Sequence, residues 1–238
     1  MNMVPYQNET LDCFMNGRLR LIQSKDGYRF SVDAVLLSEF VRVKKDDIVL
    51  DLGTGCGIIP LILLLTSEIR YVFGVEIQKE LAFQAQRNAI LNGFDNKMDI
   101  VLGDIRSCPV ARSSVDVVVC NPPYRKVKSG RINPDTRRAI ARHELLVSLD
   151  DILIAAKHAL RKKGRLAMVY PAVRIADIFV RMRHSGFEPK RIQIIYPDLK
   201  TEASMVLVEA IAGGRAGLKV EHPVFGQGNF SIQQPMKN

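Results

Sequence analysis

Short apolar runs alternate with amphipathic stretches through the middle of this 238-residue chain, and that alternation limits the folds open to it. The runs are Ile48–Leu52, Tyr71–Ile77, Asp99–Asp104, Val115–Cys120, Arg165–Tyr170, Arg191–Tyr196 and Ser204–Ala210. Most are β-branched and almost continuously apolar, as strands are when both faces are covered. Helical stretches lie between them. Gly57–Thr66 carries Pro60 in its first turn, where a missing N–H costs little. Gln78–Leu91 repeats apolar residues at Leu81, Ala82, Ala85, Ala89 and Ile90, a helical stripe. Leu149–Leu160 and Ala172–His184 read the same way, each followed by a glycine that can stop a helix, Gly164 and Gly186. Ser31–Val43 is a further helix ahead of the first run. Strand–helix alternation predicts an α/β fold, a Rossmann-like, mostly parallel sheet with helices on both faces. The last two runs are joined by only seven residues, Pro197–Ala203, too few for a parallel crossover, so an antiparallel C-terminal hairpin is expected.

The ends of the chain differ from its middle. Residues 1–30 alternate polar and apolar side chains around Asp26-Gly27, a turn signal, and predict a small N-terminal β-hairpin extension. Residues 31–212 form the main domain. Residues 213–238 are a tail packed in part on that domain, and its polar end, GQGNFSIQQPMKN, is expected to fray.

Charge and cysteine usage limit the partners. A formal charge of +9 favours a polyanion, nucleic acid before a membrane surface. The four cysteines, Cys13, Cys56, Cys108 and Cys120, include no C-x-x-C pair. Neither a disulfide framework nor a metal site is expected, and a reducing cytoplasm fits. The N-terminal residues show no signal-peptide pattern, and the longest apolar run, Ile58–Leu65, is too short to span a bilayer. A monomer or weak homodimer is expected.

Asp51–Gly57, DLGTGCG, follows the first strand and opens a helix. Gly53, Gly55 and Gly57 give G-x-G-x-G, one residue short of the dinucleotide pattern G-x-G-x-x-G, and no Gly-Lys-Ser/Thr is present. Asp51 would repel a pyrophosphate but suits an ammonium group. Glu76 ends the second strand, where an acid can accept hydrogen bonds from both ribose hydroxyls. Asp104 ends the third, where it could accept from an adenine amino group. Each acid alone is a solvated strand end or a helix cap. Three together, at the carboxyl ends of successive parallel strands, fit a nucleoside with a cationic, amino-acid-like tail.

The fourth strand stops abruptly at Asn121-Pro122-Pro123-Tyr124. Consecutive prolines cannot continue a strand or a helix. An amino nitrogen on an aromatic ring or an amide is a poor nucleophile, because its lone pair is delocalised. Two acceptors placed against its N–H groups draw it toward tetrahedral geometry. The Asn121 side-chain oxygen supplies one and the Pro122 carbonyl the other, with the prolines fixing both beforehand. Tyr124 offers a face for stacking, worth about 1–3 kcal/mol per base.

VLDLGTGCGIIPL, VFGVEI, LGDI and NPPY together resemble the motifs of class I S-adenosylmethionine-dependent methyltransferases. The resemblance implies a seven-stranded sheet, with S-adenosylmethionine as cofactor and the glycine loop around its methionine part. It also implies Glu76 on the ribose, Asp104 near the adenine and Asn121 beside the transferred methyl. NPPY in this family marks transfer to adenine, guanine or glutamine nitrogen.

Past Tyr124 runs RKVKSGRINPDTRRAIARHE. Arg125, Lys126, Lys128, Arg131, Arg137, Arg138 and Arg142 predict a basic loop that gathers phosphates, with His143 as a further RNA contact. A second basic cluster comprises Arg174, Arg181, Arg183, Lys190 and Arg191. The FSVDAVLL segment, NPPY and a basic loop ending in ARHE resemble the bacterial subfamily that methylates adenine N6 in the anticodon loop of a valine tRNA. That resemblance implies tRNA as partner, Asp33 close to the cofactor's methionine end, and an adenine extruded onto Asn121 and Tyr124. The alternatives are a protein glutamine N5-methyltransferase of release-factor type, an enzyme acting on another RNA amino group such as guanine N2, and a non-catalytic RNA-binding protein that keeps the fold. A DNA adenine methyltransferase would need a target-recognition domain for which no room is left.

Overall fold

A computed structural model describes residues 4–27, 29–122 and 147–226. The elements that build the sheet are β3 (Ile48–Leu52), α2 (Ile58–Thr66), β4 (Tyr71–Glu76), α3 (Lys79–Leu91), β5 (Met98–Leu102), β6 (Val115–Cys120), α4 (Leu149–Ala159), β7 (Leu160–Pro171), α5 (Ile175–His184), β8 (Phe187–Tyr196) and β9 (Met205–Ala212). They are preceded by β1 (Glu9–Phe14), β2 (Leu19–Ser24) and α1 (Val32–Phe40), and followed by β10 (Lys219–Val220) and β11 (Val224–Phe225).

The large sheet runs in the order β10-β8-β9-β7-β6-β3-β4-β5, with β11 also on β8. From β7 to β5 every pairing is parallel. β9 lies antiparallel between β7 and β8, because the short connection after β8 permits only a hairpin. The alternation along each strand feeds two cores. In β6, Val117 and Val119 pack with α1 and α2, whereas Val118 and Cys120 pack with α4 and α5. This two-sided burial explains the unbroken valine run. α2, apolar on nearly every side, sits wholly inside the first layer. α4 starts on a capping box, in which the Ser148 hydroxyl accepts from the Asp151 N–H and the Asp151 carboxylate accepts from the Ser148 N–H.

The fold departs from expectation in four places. Among the described residues the sheet has nine strands, because residues 219–220 and 224–225 pair in parallel with β8 beyond the seven-strand core. These two-residue strands carry no readable periodicity, and they cover an edge that would otherwise be bare. The N-terminal hairpin does not turn at Asp26-Gly27. It turns at Met15-Asn16-Gly17, all three with positive φ, while Asp26-Gly27 follows β2 and is tied back by a Gly27 N–H donated to the Ser24 hydroxyl. α4 ends at Leu160 in extended conformation, so Gly164 lies inside β7 instead of capping the helix. The first three residues of the expected helix after β7, Ala172–Arg174, form a 3₁₀ turn ahead of α5.

Candidate functional site

Strand register sets the site. Leu52 pairs with Val75 on one side and with Cys120 on the other. One residue further along each strand come Gly53, Glu76 and Asn121, so the three stand abreast at the carboxyl edge of the sheet. Asn121 is half-buried and Pro122 buried. The Cys120 thiol donates to the Leu52 carbonyl at 3.2 Å, pinning the end of β6 to the start of the glycine loop. Burial raises the Cys120 pKa well above its ordinary value and pushes Cys56 up to about 12. Both thiols therefore stay protonated and are no nucleophiles.

The glycine loop is closed by its own protein contacts. Gly53, Gly55 and Gly57 all have positive φ, 77°, 57° and 85°. The N–H groups of Gly53 and Thr54 both donate to the Val75 carbonyl, at 2.9 and 3.0 Å. The Gly55 N–H donates to Glu76 Oε2 at 2.9 Å, and the Gly57 N–H to the Thr54 carbonyl at 2.9 Å. These donors are already used, so the loop offers no nest of free N–H groups for a phosphate. A Cβ on Gly57 would lie 2.9 Å from Met98 Cε and 3.3 Å from Ala85 Cβ, so the loop packs directly on α3.

The loop instead frames a carboxylate. Asp51 is completely buried, and among the described residues neither of its oxygens has a well-formed hydrogen bond. The buried Thr54 hydroxyl likewise makes no well-formed hydrogen bond among the described residues, though it lies close enough to Asp51 to offset part of the burial cost. Desolvation, opposed by Thr54 and reinforced by the nearby Glu76 charge, lifts the Asp51 pKa from 3.8 to about 7. A buried carboxyl without a partner is costly. A ligand ammonium group against it would satisfy both oxygens. Glu76 is also buried, its Oε1 accepting from the Gln78 N–H at 2.9 Å and its Oε2 from Gly55. Each oxygen keeps acceptor capacity, so the carboxylate is fixed in place and still able to take two ribose hydroxyls. Ile77 and Leu102, both substantially exposed, stand next to Glu76 in chain and in register, apolar surface suited to a base. Sequence reasoning passed over Thr54, Ile77 and Leu102; an apolar residue directly after a strand-end acid was the available signal.

Asp104 is placed differently from expectation. β5 ends at Leu102, and Asp104 caps the 3₁₀ turn that follows, accepting from the Arg106 N–H at 2.9 Å. The Arg106 guanidinium also binds both carboxylate oxygens, and these hydrogen bonds lower the Asp104 pKa. To serve an adenine amino group it must share its oxygens with Arg106. Asp33 is buried in the first turn of α1, which packs on α2 and β7.

The second basic cluster is largely consumed by ion pairs. Arg174 pairs with Asp177, Arg181 with Asp150, Arg183 with Glu188, and Arg191 with both Glu209 and Glu221. Lys190 donates to the Arg215 carbonyl. The partners lie up to 31 residues away, as Asp150 does from Arg181, so the sequence showed the cations without their counter-charges. Pro123, Tyr124, Arg125, Lys126, Lys128, Arg131, Arg137, Arg138, Arg142 and His143 lie outside the described residues. No helix among the described residues is long and apolar enough to cross a membrane.

Comparison with known proteins shows the family. The family model of the methyltransferase small domain matches residues 30–177, which include the glycine loop, Glu76, Asp104 and Asn121. The chain belongs to the methyltransferase small domain family. A curated relative from Porphyromonas gingivalis, named tRNA1(Val) (adenine(37)-N6)-methyltransferase, is 31% identical over 175 residues, covering 70% of this chain and 68% of the relative. A relative of the same name from Parabacteroides distasonis is 28% identical and covers 83% of each chain. Among solved structures, an Agrobacterium tumefaciens protein described as a predicted O-methyltransferase superposes with a TM-score of 0.65 at 22% identity, over 81% of this chain and 86% of that one. A geranyl diphosphate C-methyltransferase from Streptomyces coelicolor, solved with S-adenosyl-L-homocysteine, gives a TM-score of 0.54 at 15% identity, over 75% of this chain and 74% of that one. These two likenesses establish the fold of the methyltransferase.

Proposed function

We propose that this methyltransferase transfers a methyl group from S-adenosylmethionine to the exocyclic N6 of an adenine in tRNA, in the anticodon loop of a valine tRNA. The observation that carries the cofactor part is the fully buried Asp51 carboxyl, without a well-formed hydrogen bond among the described residues, beside the fixed Glu76 carboxylate. One acid suits an amino-acid ammonium and the other a ribose, the two ends of one ligand. The adenine acceptor rests on the shared name of the curated relatives, together with the NPPY motif. A tRNA substrate places the enzyme in the cytoplasm, and it acts as a monomer or weak homodimer.

S-adenosylmethionine supplies a methyl on a positively charged sulfur, so its departure needs neither metal nor acid. The chain's residues position and polarise. Asp51 faces the ammonium, with Asp33 at the start of α1 on the same side of the sheet. Glu76 takes the ribose hydroxyls, and Asp104 the adenine end. Asn121 Oδ1 and the Pro122 carbonyl accept from the two N6–H groups of the target base, localising the nitrogen lone pair toward the methyl. Transfer would break the S–CH3 bond as the N–C bond formed, leaving a neutral thioether, and the surplus proton on the nitrogen would pass to solvent. Tyr124 stacks on the extruded base. The basic stretch from Arg125 to Arg142, with His143, holds the flanking phosphates.

The experiment is transfer of label from S-adenosylmethionine to bulk tRNA taken from a strain lacking the gene. Labelled tRNA carrying N6-methyladenine supports the reading. Label found only on a release-factor-like protein refutes it.

A further inference from the structure

The N-terminal hairpin is docked on α3 through two asparagines one helical turn apart. Asn92 accepts from the Arg20 N–H at 2.9 Å and donates to the Arg20 carbonyl at 2.7 Å. Asn88 accepts from the Ile22 N–H at 2.7 Å and donates to the Ile22 carbonyl at 3.0 Å. Four helical residues advance about 6 Å, close to the roughly 6.8 Å between alternate residues of a strand. The two amides therefore act as a substitute strand along the outer edge of β2. The lower half of the hairpin is held by Glu9, which Arg87 binds at 2.8 Å.

Asn88 does one thing that Asn92 does not. It is wholly buried, and its amide also donates to the Cys56 carbonyl in the glycine loop, at 2.9 Å. That carbonyl belongs to the same peptide unit as the Gly57 N–H, which donates to the Thr54 carbonyl. The peptide is thus gripped at both ends, by Asn88 and by Thr54. Its orientation fixes the turn that frames Asp51. Without the Asn88 amide, the Cys56 carbonyl is left unpaired in a buried place, and Gly55 and Gly57 on either side give the peptide freedom to rotate.

We propose that Asn88 is a positioning residue for the cofactor loop, and that the N-terminal hairpin acts through it to hold that loop in its binding shape. The proposal rests on the reading of Asp51–Gly57 as the S-adenosylmethionine loop. It assigns the hairpin a part in cofactor affinity in addition to any contact with RNA.

The test compares Asn88→Ala with Asn92→Ala in the full chain. S-adenosylhomocysteine binding is measured by calorimetry, and KM for S-adenosylmethionine and kcat by methyl transfer to tRNA. Asn88→Ala is expected to weaken S-adenosylhomocysteine and raise that KM on the order of ten-fold, the loss that goes with one buried unpaired carbonyl. Its kcat stays within about three-fold, because the acceptor side is untouched. Asn92→Ala, which loses as many hairpin bonds, keeps both constants within about two-fold. If Asn88→Ala does not fold, Asn88→Ser takes its place with the same expectation. Equal effects of the two variants, or unchanged affinity in the Asn88 variant beside a wild type that binds, overturn the proposal and leave the cofactor reading standing. A wild type that binds no S-adenosylhomocysteine overturns both.

Discussion

Replacing Asp51 with asparagine should make the ligand-free protein more stable and the cofactor complex weaker. The carboxyl is buried without a well-formed hydrogen bond among the described residues, and burial raises its pKa from 3.8 to about 7. Between those values the folded chain binds a proton that the unfolded chain has released. Stability contributed by this group is therefore complete below about pH 4 and lost as pH rises to about 7. Three units at about 1.4 kcal/mol each give a loss of up to about 4 kcal/mol by pH 8. The Asp51→Asn variant would carry no such penalty. Urea unfolding followed between about pH 5 and pH 8 should show the variant gaining on the wild type steadily with pH. A cationic ligand reverses the balance, because it favours the ionised carboxylate. Wild-type affinity for S-adenosylhomocysteine should rise over the same interval. The variant should bind at least about ten-fold more weakly throughout, as removal of one charge-assisted hydrogen bond requires. A stability difference that does not change with pH, or a variant that binds as tightly as the wild type, would refute the assignment of Asp51.

Other perturbations separate the remaining roles. Asn121→Ala should lower kcat by about 10²–10³, the usual effect of removing one preorganised polar group from a reacting centre, with S-adenosylhomocysteine affinity in calorimetry unchanged. Gly57→Ala forces a side chain into a φ of +85° and against Met98 and Ala85. It should cost about 1–2 kcal/mol in urea unfolding and weaken cofactor binding at the same time. Neutralising Arg137 and Arg138 together should reduce the slope of log affinity for tRNA against log salt, measured by filter binding. The reduction should be about 1 for each phosphate no longer neutralised. An unchanged slope would make these arginines a solvated surface.

Much of this fold could be read because its strands are covered on both faces. Val117 to Cys120 serve two cores at once, which is why four apolar residues stand in a row there. The antiparallel β8–β9 pair followed from a connection too short for anything else. The hairpin turn was misplaced because two turn signals, Asn16-Gly17 and Asp26-Gly27, compete within a dozen residues, and local propensity does not rank them. Docking decides the matter. With the turn at Asn16-Gly17, Arg20 and Ile22 face Asn92 and Asn88. At the site, Gly53, Glu76 and Asn121 share one row because each lies one residue beyond a matched set of strand partners, a relation visible as strand ends in the sequence. Asp104 broke that pattern, since β5 stops early and the acid turns to cap the 3₁₀ turn and bind Arg106. What the sequence could not show was pairing over distance. The cations of α5 and β8 looked available for RNA until Asp150, Glu188, Glu209 and Glu221 were seen beside them.

That pairing leaves the proposed RNA contacts to the stretch after Tyr124, and the identity of the acceptor is the central claim. Nucleoside mass spectrometry of tRNA from wild-type and gene-deletion strains tests it most directly. Loss of N6-methyladenosine from valine tRNA in the deletion strain, restored by the wild-type gene and not by Asn121→Ala, is the predicted result. Unchanged N6-methyladenosine, with N2-methylguanosine or a methylated protein glutamine lost instead, would contradict it.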